Sequence, residues 1–452
     1  MVASGHDGGK GSEITRPDGG GPLHLDIERP GGGGEAQLDL GFLRGMFPAL
    51  DGPPGGDWAF FDNAGGTHMA RPVLNRTIHY LSTHRVQPHG PNPLAGPAGD
   101  EMDRGRATLA ALLDIDQANL TIGPSTTQNL NTLAQSLDGL VAPGDEVVVS
   151  RQEHEANIGC WERLCRRRGA ILRFWEVDSG TGELEPGGLE RLLGDRTRVV
   201  AVTHSSNIVG TVHDLGSVSA TVHGAGVVLV ADGVSYAPHR WPDVAATGAD
   251  VYCFSLYKTF GPHLGAMVVS EELLERVEPQ CHYFNAPRSG TRLDAAGPQH
   301  CAIASLVGLG DFFDALYEHH FGPAVDPDTT PAQRAGAVGS LLQAHETAVA
   351  APLAEFLVAA ADRGLRLLGR PTMTDREANF SFLVSGRSSA SLVAELGRRG
   401  LAAKNGHFYA RRLLEAVGID DVDDGVVRLS LAAYNTPREV ALLIAALDSI
   451  LR

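Results

Sequence analysis

The sequence has few aromatic residues, few lysines and no long apolar segment. Phe, Trp and Tyr make up 6% of its 452 residues, and its lysines are Lys10, Lys258 and Lys404. No apolar run approaches the roughly 20 residues that a membrane-spanning helix needs. The first residues also lack the basic and apolar regions of a secretory signal. These absences predict a cytoplasmic protein without a membrane partner.

Positive charge and paired cysteines are also scarce. The chain has 37 Lys and Arg against 54 Asp and Glu, a net charge of −17. Such a chain repels phosphate backbones, so we expect no nucleic-acid partner. The cysteines form no CxxC pair and no Cys/His spacing of a zinc site, so we expect free thiols and no metal. They are Cys160, Cys165, Cys253, Cys281 and Cys301.

The order of the patterns along the chain predicts an α/β fold in two domains after a tail. Residues 1–37 are rich in glycine and cannot bury enough apolar surface to fold, so they are predicted to be a disordered tail. Short apolar segments alternate with helical ones across 38–330, as in a mostly parallel sheet of βαβ units. The N-terminal part of this large domain also contributes to a smaller α+β domain, predicted for 331–452. The candidate buried strands are residues 146–150, 172–177, 199–203, 227–231, 251–254 and 265–269, and helical patterns cover residues 186–193 and 336–363. Pro186 and Gly336 are the predicted starts of these two helices.

Polar side chains follow several of these strands directly. In an open parallel sheet the carboxyl ends of the strands meet at one edge, where ligands bind. Taken singly, Ser125 could be a helix cap, Asp232 a cap or surface carboxylate, and His154 an ordinary histidine. The convergence of several such groups at one edge favours a binding site. The groups are Ser125, Thr126, Thr127, His154, Asn157, His204, Asn207, Asp232, Ser255, Tyr257 and Lys258.

Lys258 determines the chemistry that these groups suggest. It lies in a segment of apolar and small residues with Phe254, Tyr257 and Phe260, which indicates burial rather than a surface lysine. A desolvated lysine has a lowered pKa and becomes an amine nucleophile toward an aldehyde. A helix N-terminus with hydroxyls that suits phosphate, a carboxylate and a buried lysine together favour pyridoxal phosphate (PLP).

An ordered set of motifs resembles the class V aminotransferase-fold PLP enzymes. Within that family, the chain is similar to the cysteine desulfurase-like and isopenicillin N epimerase-like branch. The resemblance covers about residues 40–450 and implies PLP-dependent transferase fold type I, with a large, mostly parallel seven-stranded sheet. The motifs are residues 60–64 (FFDNA), 125–127 (STT), 153–157 (EHEAN), 204–211 (HSSNIVGT), 231–233 (ADG), 255–258 (SLYK), 290–291 (GT) and 428–436 (RLSLAAYNT).

The resemblance also implies a role for each matching residue. Lys258 forms the Schiff base and moves the proton at the substrate Cα, with Asp232 on the pyridinium nitrogen and His154 stacked on the ring. Ser235 and Asn207 lie near the cofactor O3′. The phosphate is held by Thr126, Thr127, Ser255 and Tyr257, and by Thr291 of the neighbouring subunit, which implies a homodimer with composite sites. Arg428, Asn207 and His407 bind the amino-acid substrate.

One departure from the family pattern limits the reaction. True desulfurases carry a nucleophilic cysteine where this chain reads KNGHFYA over residues 404–410, with Tyr409 at or near its place. A phenol cannot accept sulfur as a thiolate does. We therefore expect a C–S lyase that eliminates the thiol from an S-substituted cysteine, such as a cysteine S-conjugate in antibiotic biosynthesis. The proline-rich loop over residues 86–93 is expected to shape a wider mouth for such a substrate.

Other reactions on the same scaffold stay open. They are decarboxylating oxidative deamination of a cysteine S-conjugate, cysteine desulfuration and amino-acid epimerisation. A nicotinamide-binding domain is disfavoured because no G-x-G-x-x-G follows a strand. A catalytically dead scaffold is disfavoured because Lys258, Asp232 and Arg428 occur together.

Overall fold

The structure is a computed structural model that describes residues 37–53, 55–322 and 329–452. The tail predicted for residues 1–37 lies almost entirely outside the described residues. The helices are α1 (Leu40–Gly45), α2 (Arg71–Thr83), α3 (Ala95–Leu112), α4 (Thr126–Ser136), α5 (Ala156–Arg168), α6 (Gly188–Leu192), α7 (Leu215–Gly224), α8 (Val244–Thr247), α9 (Glu271–Arg276), α10 (His300–Ala304), α11 (Val307–Phe321), α12 (Pro331–Ala359), α13 (Ser389–Gly397), α14 (Arg411–Ala416) and α15 (Pro437–Ile450).

The strands form a seven-stranded sheet, a four-stranded sheet and a two-stranded pair. They are β1 (Ala59–Phe60), β2 (Leu120–Gly123), β3 (Glu146–Ser150), β4 (Ile171–Trp175), β5 (Thr197–Thr203), β6 (Val228–Asp232), β7 (Val251–Ser255), β8 (Gly265–Val269), β9 (Leu365–Leu367), β10 (Asn379–Val384), β11 (Leu401–Ala402), β12 (Lys404–Gly406) and β13 (Val426–Ser430).

The seven-stranded sheet has the order β2-β8-β7-β6-β5-β3-β4. Strands β7, β6, β5, β3 and β4 pair in parallel, whereas β8 runs antiparallel to both β7 and β2. The central strands β6 and β7 are buried along their whole length and apolar except at their last residue, because helices cover both faces of the sheet. The predicted α/β fold with a mostly parallel sheet is therefore confirmed. All strands of this seven-stranded sheet except β8 have their carboxyl ends at the same edge.

The four-stranded sheet is antiparallel, with the order β12-β13-β10-β9. Strand β1, near the start of the described chain, pairs in parallel with β11. Ala59 and Phe61 accordingly pack in the same hydrophobic core as Phe380 and Leu429. The early part of the chain thus contributes to this second core.

Helix α12 contributes to two hydrophobic cores. Ala335, Val338 and Leu342, in its first half, belong to the core of the seven-stranded sheet. Leu353 and Leu357, in its second half, belong to the core of the four-stranded sheet. The domain boundary between residues 330 and 331 stays a prediction.

Helix α6 begins later than its sequence pattern indicates. Pro186 suggested a helix start, but α6 begins at Gly188. Gly187 has a left-handed φ of +66°, so Pro186 and Gly187 belong to the turn before the helix.

The helices over residues 37–53, 55–322 and 329–452 include none with both the length and the apolar character required to cross a membrane.

Candidate active site

A cavity of about 550 Å³ opens where the carboxyl ends of the parallel strands meet. It lies at the edge that the sequence predicted, because β5, β6 and β7 deliver polar residues there from neighbouring positions in the sheet. Nine of the predicted site residues line it: Thr126, Thr127, His154, Asn207, Asp232, Ser235, Ser255, Tyr257 and Lys258.

Lys258 and Asp232 form the buried, charged part of this cavity. Lys258 ends a single helical turn directly after β7, and Asp232 is the last residue of β6. Burial and the positive charge of Arg428 lower the pKa of Lys258 to about 8. Burial raises the pKa of Asp232 to about 6, although its Oδ1 accepts a 2.9 Å hydrogen bond from Val234 N. At neutral pH the site therefore holds a carboxylate and an amine that deprotonates readily.

His154 lies between β3 and α5 with a neutral ring. Burial lowers its pKa to about 3, and the positive charges of Lys258 and Arg428 act in the same direction. Its Nδ1 accepts a hydrogen bond of 3.1 Å from Ala156 N, which assigns the ring proton to Nε2. The adjacent Glu153 is fully buried, and burial raises its pKa to about 8. An uncharged aromatic ring is thus available at the cavity wall.

The N-terminus of α4 supplies the anion-binding end of the cavity. Ser125 caps the helix by accepting a hydrogen bond from Gln128 N, and the hydroxyls of Thr126 and Ser255 lie 2.8 Å apart. A Cβ on Gly265 would lie 2.4 Å from Thr126 N, so glycine is required beside this helix start. Unpaired backbone N–H groups and hydroxyls at a helix N-terminus suit phosphate.

Three predicted site residues lie elsewhere. Arg428, His407 and Thr291 are described by the structure, but none of the three lines the cavity. Thr291 donates its hydroxyl to the carbonyls of Asn285 and Arg288. His407 Nδ1 accepts a hydrogen bond from Tyr409 N.

Arg428 is buried and already has partners. Its Nη2 donates to Asp62 Oδ1 at 2.9 Å, and the ring of Phe408 lies 3.8 Å from its guanidinium carbon. Asn207 Nδ2 donates to the carbonyl of Phe408 at 2.9 Å. The segment around Phe408 therefore contacts both residues predicted to hold the substrate carboxylate, and its ring covers the guanidinium of Arg428.

This covering segment, residues 407–409, has an unusual backbone. Phe408 and Tyr409 have φ angles of +47° and +59°, a region that costs non-glycine residues about 1–2 kcal/mol each. Tyr409 is 67% exposed and lines the cavity, with its ring centroid 5.2 Å from that of His154. The tyrosine at the place of the missing cysteine thus lies at the mouth of the site.

Several functional candidates escaped the sequence analysis. Arg163 and His263 line the cavity, and His263 stacks on Tyr257 at 4.6 Å between ring centroids. Gly159 also lines the cavity, and Arg163 lies four residues after it on α5. Residues four apart lie on the same face of a helix, so this spacing was a signal for Arg163. No comparable signal marks His263, which a loop delivers.

Together these residues fit PLP. The buried carboxylate, the buried amine, the uncharged aromatic ring and the phosphate-type helix end all face one cavity. Because Gly265 keeps the helix end accessible and Lys258 has a lowered pKa, the donor set matches an aldehyde that carries a phosphate and a basic ring nitrogen.

Comparison with known proteins gives consistent matches. Residues 59–284 match the family described as aminotransferase class-V. The chain is 32% identical over 421 residues to an aminotransferase-like protein of Gibberella zeae, and the match covers 90% of this chain and 98% of that protein. It is 30% identical over 420 residues to a cysteine desulfurase-like protein of Aspergillus flavus, with 90% of each chain covered.

A solved structure shows the same fold. It is the apo cysteine desulfurase of Thermococcus onnurineus, with a TM-score of 0.78 and 21% identity. The superposition covers 92% of this chain and 99% of that chain.

Proposed function

The chain belongs to the class V aminotransferase family, and on that basis we propose that it cleaves the C–S bond of an S-substituted cysteine by β-elimination. The resemblance predicted from the motifs is confirmed, and the chain is a PLP-dependent enzyme of the cysteine desulfurase-like group. The particular reaction and substrate are the proposal.

The absence of a sulfur acceptor carries this proposal. Among the residues that the structure describes, no cysteine lines the 550 Å³ cavity. Cys160, Cys165 and Cys253 are buried, and burial raises their pKa values. Such thiols are inert. Elimination needs no cysteine acceptor because the sulfur leaves as a thiol with its own substituent.

Residues of this chain supply the proton transfer and the anchoring. PLP, when bound, holds the amine of an amino acid and withdraws electrons from its Cα. Nζ of Lys258 accepts the Cα proton in its neutral form, which its lowered pKa makes accessible near neutral pH. The C–S bond then breaks, and the ammonium of Lys258 gives a proton to the leaving sulfur. With one water, the products are a thiol, pyruvate and ammonium.

Anchoring of the substrate falls to Arg428 and Asn207. A guanidinium binds a carboxylate with two parallel hydrogen bonds. Asn207 already lines the cavity, whereas the Phe408 ring stacks on the guanidinium of Arg428, so we propose that the 407–409 segment moves aside when the α-carboxylate binds Arg428. Asp232 is proposed to pair with the ring nitrogen of the cofactor and His154 to stack on its ring. Thr126, Thr127, Ser255 and Tyr257 are proposed to hold its phosphate.

The mouth of the cavity supports a substrate larger than cysteine. Tyr409, Arg163 and Glu155 line it, so the substituent on sulfur meets an aromatic ring and charged groups. The proline-rich loop over residues 86–93 was expected to shape this mouth. Instead His89, from that loop, lines a neighbouring cavity of about 250 Å³.

The test is to incubate the purified holoenzyme with a panel of S-alkyl and S-aryl cysteines and identify the products by mass spectrometry. We expect a free thiol and pyruvate in equal amounts. Lys258→Ala is the control and should form neither. A panel that gives no thiol and no pyruvate would refute β-elimination.

Other products would identify the other reactions on this scaffold. An aldehyde with one carbon fewer points to decarboxylating deamination, and alanine with sulfide points to desulfuration. Loss of optical activity without cleavage points to epimerisation. Each of these results replaces the proposal.

A further inference from the structure

Two histidines and a glutamate converge at the end of α2, on residues that the proposed reaction does not use. His79 lies in the last turns of α2, and His84 caps the end of the same helix. Glu101 lies on α3, which is linked to α2 by a hydrogen bond of 3.4 Å from the Tyr80 hydroxyl to the Ala98 carbonyl. The side chain of Glu101 is 13% exposed, against 19% for His84 and 50% for His79. The three side chains therefore form a shallow site that solvent ions can enter.

The distances within this cluster match those around a tetrahedral metal. Oε1 of Glu101 lies 3.3 Å from Nε2 of His79 and 3.4 Å from Nε2 of His84. Ligand atoms about 2.1 Å from a zinc ion are about 3.4 Å apart at the tetrahedral angle. All three ligand atoms lie within 4.8 Å of one another. The two distances from Glu101 Oε1 to the histidine nitrogens are thus already those expected between ligands of one zinc ion.

Hydrogen bonding explains these contacts less well. A charge-assisted N–H···O bond is about 2.7–2.9 Å long, and both separations are longer. Two imidazoles that converge on a single carboxylate oxygen are typical of side chains that bind one metal ion together. Arg104 also lies 3.7 Å from that oxygen, but its side chain is 63% exposed and free to turn into solvent. The net charge of −17 favours a cation anywhere on this surface.

We propose that His79, His84 and Glu101 bind a divalent transition-metal ion such as Zn²⁺, with water in the fourth position. The spacing analysis missed this site because the third ligand comes from a different helix. The ion would fasten the end of α2 to α3 directly before residues 85–94, the loop that carries His89. The proposed site is separate from the PLP cavity, so it does not depend on the proposed reaction.

The experiment measures Zn²⁺ binding to the holoenzyme after treatment with a chelator. Equilibrium dialysis against ZnCl₂ followed by elemental analysis should give one Zn²⁺ per chain. His79→Ala and Glu101→Gln should each weaken binding by at least about 10- to 100-fold, the loss usual even for outer partners of a metal site. The thermal midpoint of the wild-type protein, but not of these variants, should rise with added Zn²⁺.

His89→Ala is the matched control. His89 pairs with Asp103 of α3 at 3.1 Å, but among the described residues no further ligand joins this pair. The variant should keep the wild-type affinity, which separates a built site from general binding to surface histidines. Glu101→Gln changes one atom, so its thermal midpoint without Zn²⁺ reports whether the fold is intact.

Two results would overturn the proposal. One is a wild-type protein that takes up no Zn²⁺ in dialysis. The other is an affinity in His79→Ala and Glu101→Gln equal to that of the wild type.

Discussion

Burial and the charge of Arg428 lower the pKa of Lys258 to about 8. This lower pKa increases the fraction of the lysine amine that can react with an aldehyde. Only a neutral amine attacks. With a pKa of about 8, about one tenth of the amine is neutral at pH 7. An ordinary lysine with a pKa of about 10.4 has about one part in 2,500 neutral at that pH.

The rate of PLP uptake by the apoprotein should follow this titration. We expect the rate to rise about tenfold per pH unit below pH 8 and to level off above it. Stopped-flow absorbance in the visible region after mixing with PLP, between pH 6 and pH 10, measures this rate. Lys404→Ala, which removes a lysine outside the cavity, should give the same profile. A rate that still climbs tenfold per unit near pH 9.5 would show that the lysine is not perturbed.

Other residues of the site could be predicted for a simple physical reason. Asp232, Lys258 and Asn207 follow apolar strands directly, and the geometry of a parallel sheet brings strand ends together whatever the loops do. No comparable rule of sheet geometry predicts the ion pair between Arg428 and Asp62. It joins residues more than 360 positions apart, and both are polar residues that could equally have faced solvent.

At the scale of elements, we propose that the 407–409 segment controls the access of the substrate to Arg428. Phe408 covers Arg428 with a backbone held at φ +47°. No propensity predicts a left-handed phenylalanine followed by a left-handed tyrosine, so this cover could not be predicted from the sequence. The strands were easier, because residues 146–150 and 265–269 have apolar patterns bounded by turn residues and match β3 and β8.

Removing the Phe408 ring should ease substrate binding. A ring over a desolvated guanidinium contributes about 1–2 kcal/mol, which corresponds to about 5- to 30-fold in affinity. Phe408→Ala should therefore lower the apparent dissociation constant of an amino-acid substrate by up to that factor. Titration of the holoenzyme, followed by its visible absorbance, measures the constant.

A matched aromatic substitution tests the cause. Phe284→Ala removes an exposed ring that does not line the cavity, so it should leave the dissociation constant unchanged. Weaker or unchanged binding in Phe408→Ala would mean that the ring positions Arg428 rather than blocks it.

The direction of β8 and the start of α12 lay beyond sequence reasoning for different reasons. A strand's direction depends on whether the chain crosses over or turns back, and here a short segment after Lys258 turns back. For α12, the sequence pattern suggested a start at Gly336. The capping box of Thr330 and Gln333 begins it at Pro331 instead, a signal that was present and not used.

At the scale of the whole molecule, the predicted homodimer can be tested through Thr291, which lies outside its own chain's cavity. If Thr291 acts in the partner's site, mixing Lys258→Ala and Thr291→Ala chains should restore activity. In a statistical mixture, half of the dimers are hybrids with one intact site, about a quarter of all sites.

Unfolding and refolding the two variants together, with each variant alone as control, gives the comparison. Sedimentation should report twice the 47.7 kDa chain mass. No activity above the sum of the separate variants would place Thr291 in its own chain's site or in none.

The shared helix α12 has a mechanical consequence. Its 29 residues make a rod about 43 Å long, and each end is embedded in a different core. If one sheet tilts relative to the other, helix α12 must either tilt with it or bend. Pro352 lies inside the helix and removes one main-chain hydrogen bond, which makes it the compliant point. Pro352 is flanked by Ala350 and Leu353 of the second core, so a bend at this residue falls within that core and leaves the first half of α12 attached to the seven-stranded sheet.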